Sequence, residues 1–153
     1  MVGIIAAYIL SVIFFNYTII ADYKNIPFPP VDRGQYIEAW PAGWGMKEIV
    51  QFAREKSADK PVILIAEGNF GMAGDVLDVL TKPTDAITIK GYWPLSDKEL
   101  RENQQELKTS QVYIVFAHRT DFPIDWPMKK VAEYHKPGNR STIYLYQLLG
   151  TDR

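Results

Sequence analysis

The sequence predicts an α/β fold, a small three-layer domain with about four mostly parallel strands, preceded by one transmembrane helix. Three observations lead to this prediction. The first 21 residues contain no charged side chain. The remainder alternates between short apolar runs, which are typical of strands covered on both faces, and segments with apolar residues at helical spacing. Helices placed between such strands imply parallel pairing with right-handed crossovers.

The composition is that of an ordinary globular protein and excludes several classes of function. The chain has 17 basic and 18 acidic residues with no block of like charge, so we expect no nucleic-acid partner. It has no cysteine, which excludes a disulfide framework and a thiolate metal site. No cofactor motif is present, and we expect no cofactor and no bound metal.

Residues 1–23 are predicted to be a transmembrane helix. As a helix the uncharged run is about 30 Å long, the thickness of the hydrocarbon core of a bilayer. A cleaved signal peptide normally has a basic flank and a small-residue cleavage site, and neither is evident here. A buried core helix is the third alternative, but so small a domain can hardly surround a helix that is apolar on every side. The missing N-terminal flank indicates the end of a longer membrane protein and leaves the orientation open.

The remaining elements follow in order along the chain. Prolines at 27, 29 and 30 predict an extended lead-out over residues 24–31, because proline fixes φ and lacks a donor. Residues 32–153 then form the domain. Helices are expected from Gly45 to about Ser57, along the stripe Met72, Val76, Leu77 and Leu80, from the capping box Ser96 and Glu99 to about Lys108, and near 128–134. Strands are expected at 62–66, 85–90, 112–117 and 141–149, the last one antiparallel at an edge.

Polar and aromatic residues follow three of these strands, where parallel sheets bind their ligands. The candidate ligand-binding residues are Glu67, Asn69, Tyr92, Trp93, His118 and Arg119. Phosphate is disfavoured, because the glycine spacing of a phosphate loop is missing and Glu67 would repel an anion. Gly68 and Gly71 are more simply explained by a tight turn. A hydroxyl-rich ligand such as a sugar suits these side chains better.

His118 could also act in catalysis or in metal binding with Asp121 or Asp125, but the spacing has no specific signature. A satisfied polar group is the simpler interpretation. The aromatic segment that contains Tyr36, Trp40 and Trp44 has two alternatives of equal weight: contact with the membrane surface or a neighbouring domain, or a cover for the small sheet.

Two stretches carry a family resemblance. The stretch DRGQYIEAWPAGWGMKEIVQFA, from Asp32 to Ala53, resembles the segment after the last membrane helix of bacterial glycosyltransferases of the dolichyl-phosphate-mannose–protein mannosyltransferase type. The positions that match are Asp32, Gln35, Tyr36, Trp40, Pro41, Gly43, Trp44, Gly45 and Glu48. The closing stretch is similar to the final strand of the same region at Lys136, Pro137, Gly138, Ser141 and Tyr144.

The resemblance implies a C-terminal domain of a multi-span enzyme that transfers a sugar from a polyprenyl-phosphate donor. The domain itself would be extracytoplasmic at the cell membrane and non-catalytic, because the acidic base of the family lies in a loop outside this chain. Its role would be to cap the membrane site or to bind the acceptor. The partners implied are membrane lipid, the remaining transmembrane part of the parent enzyme, and a glycan or polyprenyl-phosphate sugar.

Two other functions remain open. One is a free-standing, membrane-anchored binding module without an enzymatic parent. The other is a small hydrolase that uses His118 with Asp121 or Asp125.

Overall fold

The computed structural model describes residues 2–68 and 73–150 and confirms the α/β class. A five-stranded mixed sheet has helices on its faces, and one apolar helix precedes it. The helices in the described part of the chain are α1 (Val2–Ala21), α2 (Pro30–Arg33), α3 (Met46–Ser57), α4 (Ala73–Leu80) and α5 (Asp97–Asn103). The strands there are β1 (Val62–Glu67), β2 (Ile87–Tyr92), β3 (Gln111–Phe116), β4 (Met128–His135) and β5 (Thr142–Leu148).

Helix α1 is long and apolar enough to cross a membrane, as a signal sequence would also be. Every residue of this helix except Thr18 is exposed. Its polar side chains are satisfied within the helix, because Ser11, Asn16 and Thr18 donate hydrogen bonds to carbonyls three or four residues earlier. The helix therefore presents an apolar surface that the rest of the chain does not cover.

The strand order β2-β1-β3-β5-β4 places β1 inside the sheet. β1 pairs in parallel with β2 and β3, while β5 runs antiparallel to both β3 and β4. The chain moves from β1 to β2 and then back past β1 to β3, so right-handed crossovers require α4 and α5 on opposite faces. Ile49 of α3 and Leu77 of α4 pack on one face, and Leu100 of α5 packs on the other. The three layers expected from the sequence are present.

The boundaries of most predicted elements are close to those observed. The capping box of Ser96 and Glu99 opens α5, and the helix continues as a 3-10 turn over Gln104–Lys108. β2 begins and ends two residues later than the predicted 85–90. Met72, at the start of the predicted second stripe, lies outside the described residues.

The predicted helix at 128–134 is wrong, because this segment is the edge strand β4. A β-bulge between Lys130 and Ala132 shifts the alternation of side chains. Met128 packs on the α5 face, whereas Ala132 and Tyr134 pack on the opposite face. This change of face within one strand hides the period of two.

The prediction that the last strand lies at an edge is also wrong. β5 lies between β3 and β4, and β4 takes the edge position. β4 runs parallel to β3, so the chain must cross the sheet between them. The proline-rich loop at 117–127 makes this crossing and packs Phe122 and Trp126 against the α5 face, where a crossover helix would otherwise lie.

The predicted extended lead-out at 24–31 is only partly extended. Tyr23–Asn25 forms a 3-10 turn, and Pro30 begins α2 instead of preventing it. Proline is compatible with the first turn of a helix, where its missing N–H leaves no hydrogen bond unmade. α2 passes directly into a π-helical turn, Gly34–Glu38. We call residues 22–45, which join α1 to α3, the connector.

The connector is fixed to the sheet by the buried side chain of Lys136, which follows β4. Its Nζ donates hydrogen bonds to the carbonyls of Ala39 and Trp40 at 2.9 Å and of Ala42 at 2.7 Å. The residue is 1% exposed. Burial lowers the pKa of Lys136 to about 8. The three carbonyls oppose this shift, because only the charged ammonium has three N–H donors.

Glycines permit this close approach at two points. Gly138, with φ of 77°, lies so near Glu38 that a Cβ atom would come within 2.9 Å of its carboxyl carbon. Gly45, with φ of 87°, would place a Cβ atom 2.7 Å from the Cβ of Tyr134. A side chain at either position would separate the connector from the β4–β5 hairpin and would also strain the backbone.

We expect the stability of the full chain in detergent to rise with pH through the lowered pKa of Lys136. Between pH 8 and the ordinary lysine pKa, the unfolded state binds more protons than the folded state, so raising the pH favours folding. The free energy of unfolding should increase by roughly 1 to 2 kcal/mol from pH 8 to 9.5 relative to Lys136→Met. Denaturant unfolding monitored by near-UV circular dichroism measures this difference.

Lys129→Met is the matched control, since Lys129 is exposed on β4, the strand that ends just before Lys136. This variant should keep the wild-type dependence on pH. Parallel pH profiles for the wild type and Lys136→Met would contradict the prediction.

Candidate functional site

The candidate residues gather where the parallel strands end. After β1 the chain continues to its neighbour β2, and after β3 it continues to β4 and β5 in the opposite direction along the sheet. The direction in which strands are added therefore reverses between β1 and β3. In open α/β sheets, ligands bind outside the carboxyl ends of the strands at such a point. Glu67 ends β1, and His118 and Arg119 follow β3, so both sides of this crevice carry charged or titratable groups.

Glu67 and Arg119 form a buried ion pair across the crevice. The Arg119 Nε donates to the two carboxylate oxygens of Glu67 at 3.0 and 3.2 Å, and an Nη of the same guanidinium donates to the carboxylate and to the carbonyl of Leu95. The guanidinium also lies 5.1 Å from the ring centre of Trp126. The hydrogen bond to Glu67 raises the pKa of Arg119.

This ion pair determines what Glu67 can do. The side chain of Glu67 is 1% exposed and fully engaged with Arg119. A carboxylate in that position holds the loop after β3 against the end of β1. It shapes the site through its neighbours, whereas a direct contact with a ligand would require the ion pair to open.

His118 lies between two exposed tryptophans. Its ring centre is 5.1 Å from that of Trp93, which follows β2, and 6.2 Å from that of Trp40 in the connector. Its Nε2 is 3.9 Å from a carboxylate oxygen of Glu67, and its buried Nδ1 has no hydrogen-bond partner among the described residues. About half of each tryptophan side chain is exposed. The sheet edge therefore presents two aromatic rings next to an imidazole.

A cavity of about 210 Å³ adjoins His118 between the connector and the start of β5. Besides Trp40 and His118, its lining includes the polar residues Thr120, Arg140, Ser141 and Thr142. Arg140 is anchored through its Nε to Glu38 at 3.3 Å, and the Ser141 hydroxyl donates to the carbonyl of Glu38. The cavity thus combines aromatic surface with hydroxyl and guanidinium groups, which is the usual make-up of a site for a small polar ligand.

Sequence reasoning missed Arg140, Ser141 and Thr142 as site residues because it expected a helix instead of β4 before the last strand. Thr120 follows the predicted Arg119 directly and was not included. The turn between β4 and β5 instead returns the chain to the carboxyl edge, beside the end of β3. The available signal was the resemblance itself, since Ser141 and its neighbours belong to the closing stretch that matches the family.

The predicted site residue Tyr92 is not part of this cluster. The hydroxyl of Tyr92 accepts a hydrogen bond from Asn103 of α5, so the Tyr92 ring packs on the α5 face. Asn69 lies outside the described residues. A second cavity of about 230 Å³ near the ends of β1 and β2 is lined by Asp75 and Asp78, whose charges disfavour a phosphate there.

The glycine interpretation of the turn after β1 fits the close packing of α4. Gly68 has φ of 122°, and a Cβ atom on Gly74 would lie 3.0 Å from its carbonyl oxygen. Gly71 lies outside the described residues.

The connector aromatics contact different parts of the structure. Trp40 covers His118 at the sheet edge. The ring centre of Trp44 is 5.5 Å from that of Tyr23, which lies next to the end of α1. Tyr36 packs on Phe28, which in turn contacts Phe15 of α1.

The described residues offer little for hydrolysis or metal binding. The carboxylate within 4 Å of His118 is that of Glu67, rather than Asp121 or Asp125. No three His, Asp or Glu side chains in residues 2–68 and 73–150 are placed to hold a metal ion. The chain matches no model of a known protein family and no curated protein sequence.

We expect Glu67→Gln to destabilise the domain by about 2 to 3 kcal/mol, because it leaves the Arg119 guanidinium without its counter-charge. Denaturant unfolding of the full chain in detergent measures the loss. Glu102→Gln removes the carboxylate of an exposed pair with Lys98 and serves as the control. That change should cost less than about 0.5 kcal/mol. Equal effects of the two variants would show that the buried ion pair adds nothing to stability.

Proposed function

We propose that this chain is the soluble C-terminal domain, with its last membrane helix, of a multi-span glycosyltransferase that uses a polyprenyl-phosphate sugar. The domain is extracytoplasmic at the cell membrane and non-catalytic. It caps the membrane site or binds the acceptor. Its partners are membrane lipid, the remaining transmembrane part of the enzyme, and a glycan or lipid-linked sugar.

The observation that carries the proposal is that the two stretches that resemble the family contact each other. Nearly 100 residues separate Lys136 from the carbonyls that it binds at 39, 40 and 42. Gly138 and Ser141, which also match the family, both contact Glu38. Three matching positions of the closing stretch, Lys136, Gly138 and Ser141, therefore lie against residues 38–42 of the other stretch, which supports treating the two stretches as one structural unit.

The geometry of the site supports a carbohydrate ligand. An aromatic ring offers a flat apolar surface to the C–H face of a sugar ring, and Trp40 and Trp93 present two such surfaces. Hydroxyl and guanidinium groups of Thr120, Thr142 and Arg140 lie within the adjoining cavity. The acidic group at the crevice, Glu67, is buried in an ion pair, which agrees with a binding role for the domain rather than a catalytic one.

The DNA upstream of the Met1 codon tests the enzymatic parent directly. We expect an open reading frame that continues upstream through further hydrophobic spans. A stop codon followed by a ribosome-binding site just before Met1 would overturn the proposal and favour the free-standing anchored module.

In the full-length enzyme, we expect Trp40→Ala combined with Trp93→Ala to raise the KM for the acceptor by about tenfold, because both stacking surfaces are lost. The kcat should change little, since neither ring belongs to the reacting site. Steady-state transfer of radiolabelled sugar measures both constants. Ile124→Ala is the control, because Ile124 is fully exposed on the crossing loop. An unchanged KM in a folded double variant would exclude these rings from acceptor binding.

A further inference from the structure

The membrane helix and the candidate site lie at the same edge of the sheet. β4 runs parallel to β3, so Lys136 at its end lies at the carboxyl edge, where it holds the connector. Trp40 of the connector reaches His118 at that edge. α3 then carries the chain back to the opposite edge, where β1 begins. The end of α1 is thus fixed next to the carboxyl edge.

The two edges of the sheet differ in character. The carboxyl edge and its connector expose Val31, Tyr36, Trp40 and Trp93, with 78%, 60%, 47% and 57% of their surfaces accessible. Among the described residues, the connections at the opposite edge expose the aliphatic Val79 and Leu80 but no large aromatic ring, and they carry Lys56, Asp59, Lys60, Lys82, Asp85, Glu106 and Lys108. Exposed charges also lie near the carboxyl edge, at Asp22, Lys24 and Arg140. Tryptophan and tyrosine favour the water interface of a bilayer, where the apolar ring and the polar group are both accommodated.

We propose that the carboxyl edge of the sheet rests on the bilayer surface, with Trp93, Trp40 and Tyr36 in the lipid–water interface. The inference rests on the part of the proposed function that places α1 across the membrane. A helix held in lipid and fixed to one edge of a small domain brings that edge, and not the opposite one, to the surface. The lipid head-group layer is the occupant that surrounds these exposed rings, so a glycan that stacks on Trp40 or Trp93 does so within that layer.

The orientation has a consequence for the ligand. The cavity beside His118 lies at the same edge, between Trp40 and the start of β5. Docked in this way, the cavity faces the head-group layer. A sugar carried on a membrane lipid reaches it by lateral diffusion, whereas a sugar dissolved in the bulk must enter from the side.

Spin labels on single cysteines test the orientation cleanly, because the natural chain has no cysteine. Trp93→Cys and Tyr36→Cys place a nitroxide on the proposed surface. Val79→Cys is the matched control, since Val79 lies near the end of α4 at the opposite edge and is 83% exposed. Phe14→Cys places a label in the middle of α1, where the side chain is also exposed. Each single-cysteine variant of this 153-residue chain is reconstituted in phosphatidylcholine liposomes.

The measurement compares the collision rates of each label with oxygen, which concentrates in lipid, and with a water-soluble nickel chelate. We expect the ratio of oxygen to nickel collisions to be severalfold higher at positions 93 and 36 than at position 79. Equal ratios at 93, 36 and 79, with a high ratio at 14, would overturn the docked orientation and leave the membrane span intact. A low ratio at 14 would overturn the span and the docking together. The two positions on the edge guard against misfolding of either variant.

Discussion

The position of the connector at the carboxyl edge of the sheet depends on one group, the side-chain amine of Lys136. Lys136 is buried, and a buried charge is tolerated only where its donors are satisfied. Three connector carbonyls accept hydrogen bonds from the Lys136 Nζ at distances of up to 2.9 Å. Because these carbonyls belong to an irregular stretch of backbone, they would otherwise require water. The lysine and the connector thus satisfy each other, and Trp40 is held above His118 as a result.

The ammonium can reach these carbonyls only because the neighbouring backbones approach closely. Gly138 and Gly45 remove side chains at the two contacts between the hairpin and the connector. Glu38 adds ion pairs to Arg33 before it in the chain and to Arg140 beyond the turn. The connection between α1 and the sheet is therefore a packed structure and not a free linker. Rigidity of this kind transmits the position of α1 to the sheet edge.

The sequence predicted those parts of the fold that depend on local patterns. The apolar run of β1 and the capping box of α5 can both be recognised from a few consecutive residues. β4 could not be predicted in this way, since its bulge at 130–132 exchanges the faces of the strand. The candidate site followed the same division. Its residues at the ends of β1, β2 and β3 were foreseen from strand polarity, whereas Arg140 depends on the pairing of β4 with β5, which no local pattern encodes.

The ion pair at the crevice explains why the site lies where it does. In a sheet of this topology, the space between the ends of β1 and β3 is the usual binding crevice. Here Glu67 and Arg119 fill it, and their side chains satisfy each other. The accessible cavity is displaced to the other side of His118, where β5 begins and where the connector supplies one wall through Ala39 and Trp40. The sheet alone would lack that wall. Any ligand of this cavity would contact the connector as well as the sheet, because the segment that follows α1 supplies one wall.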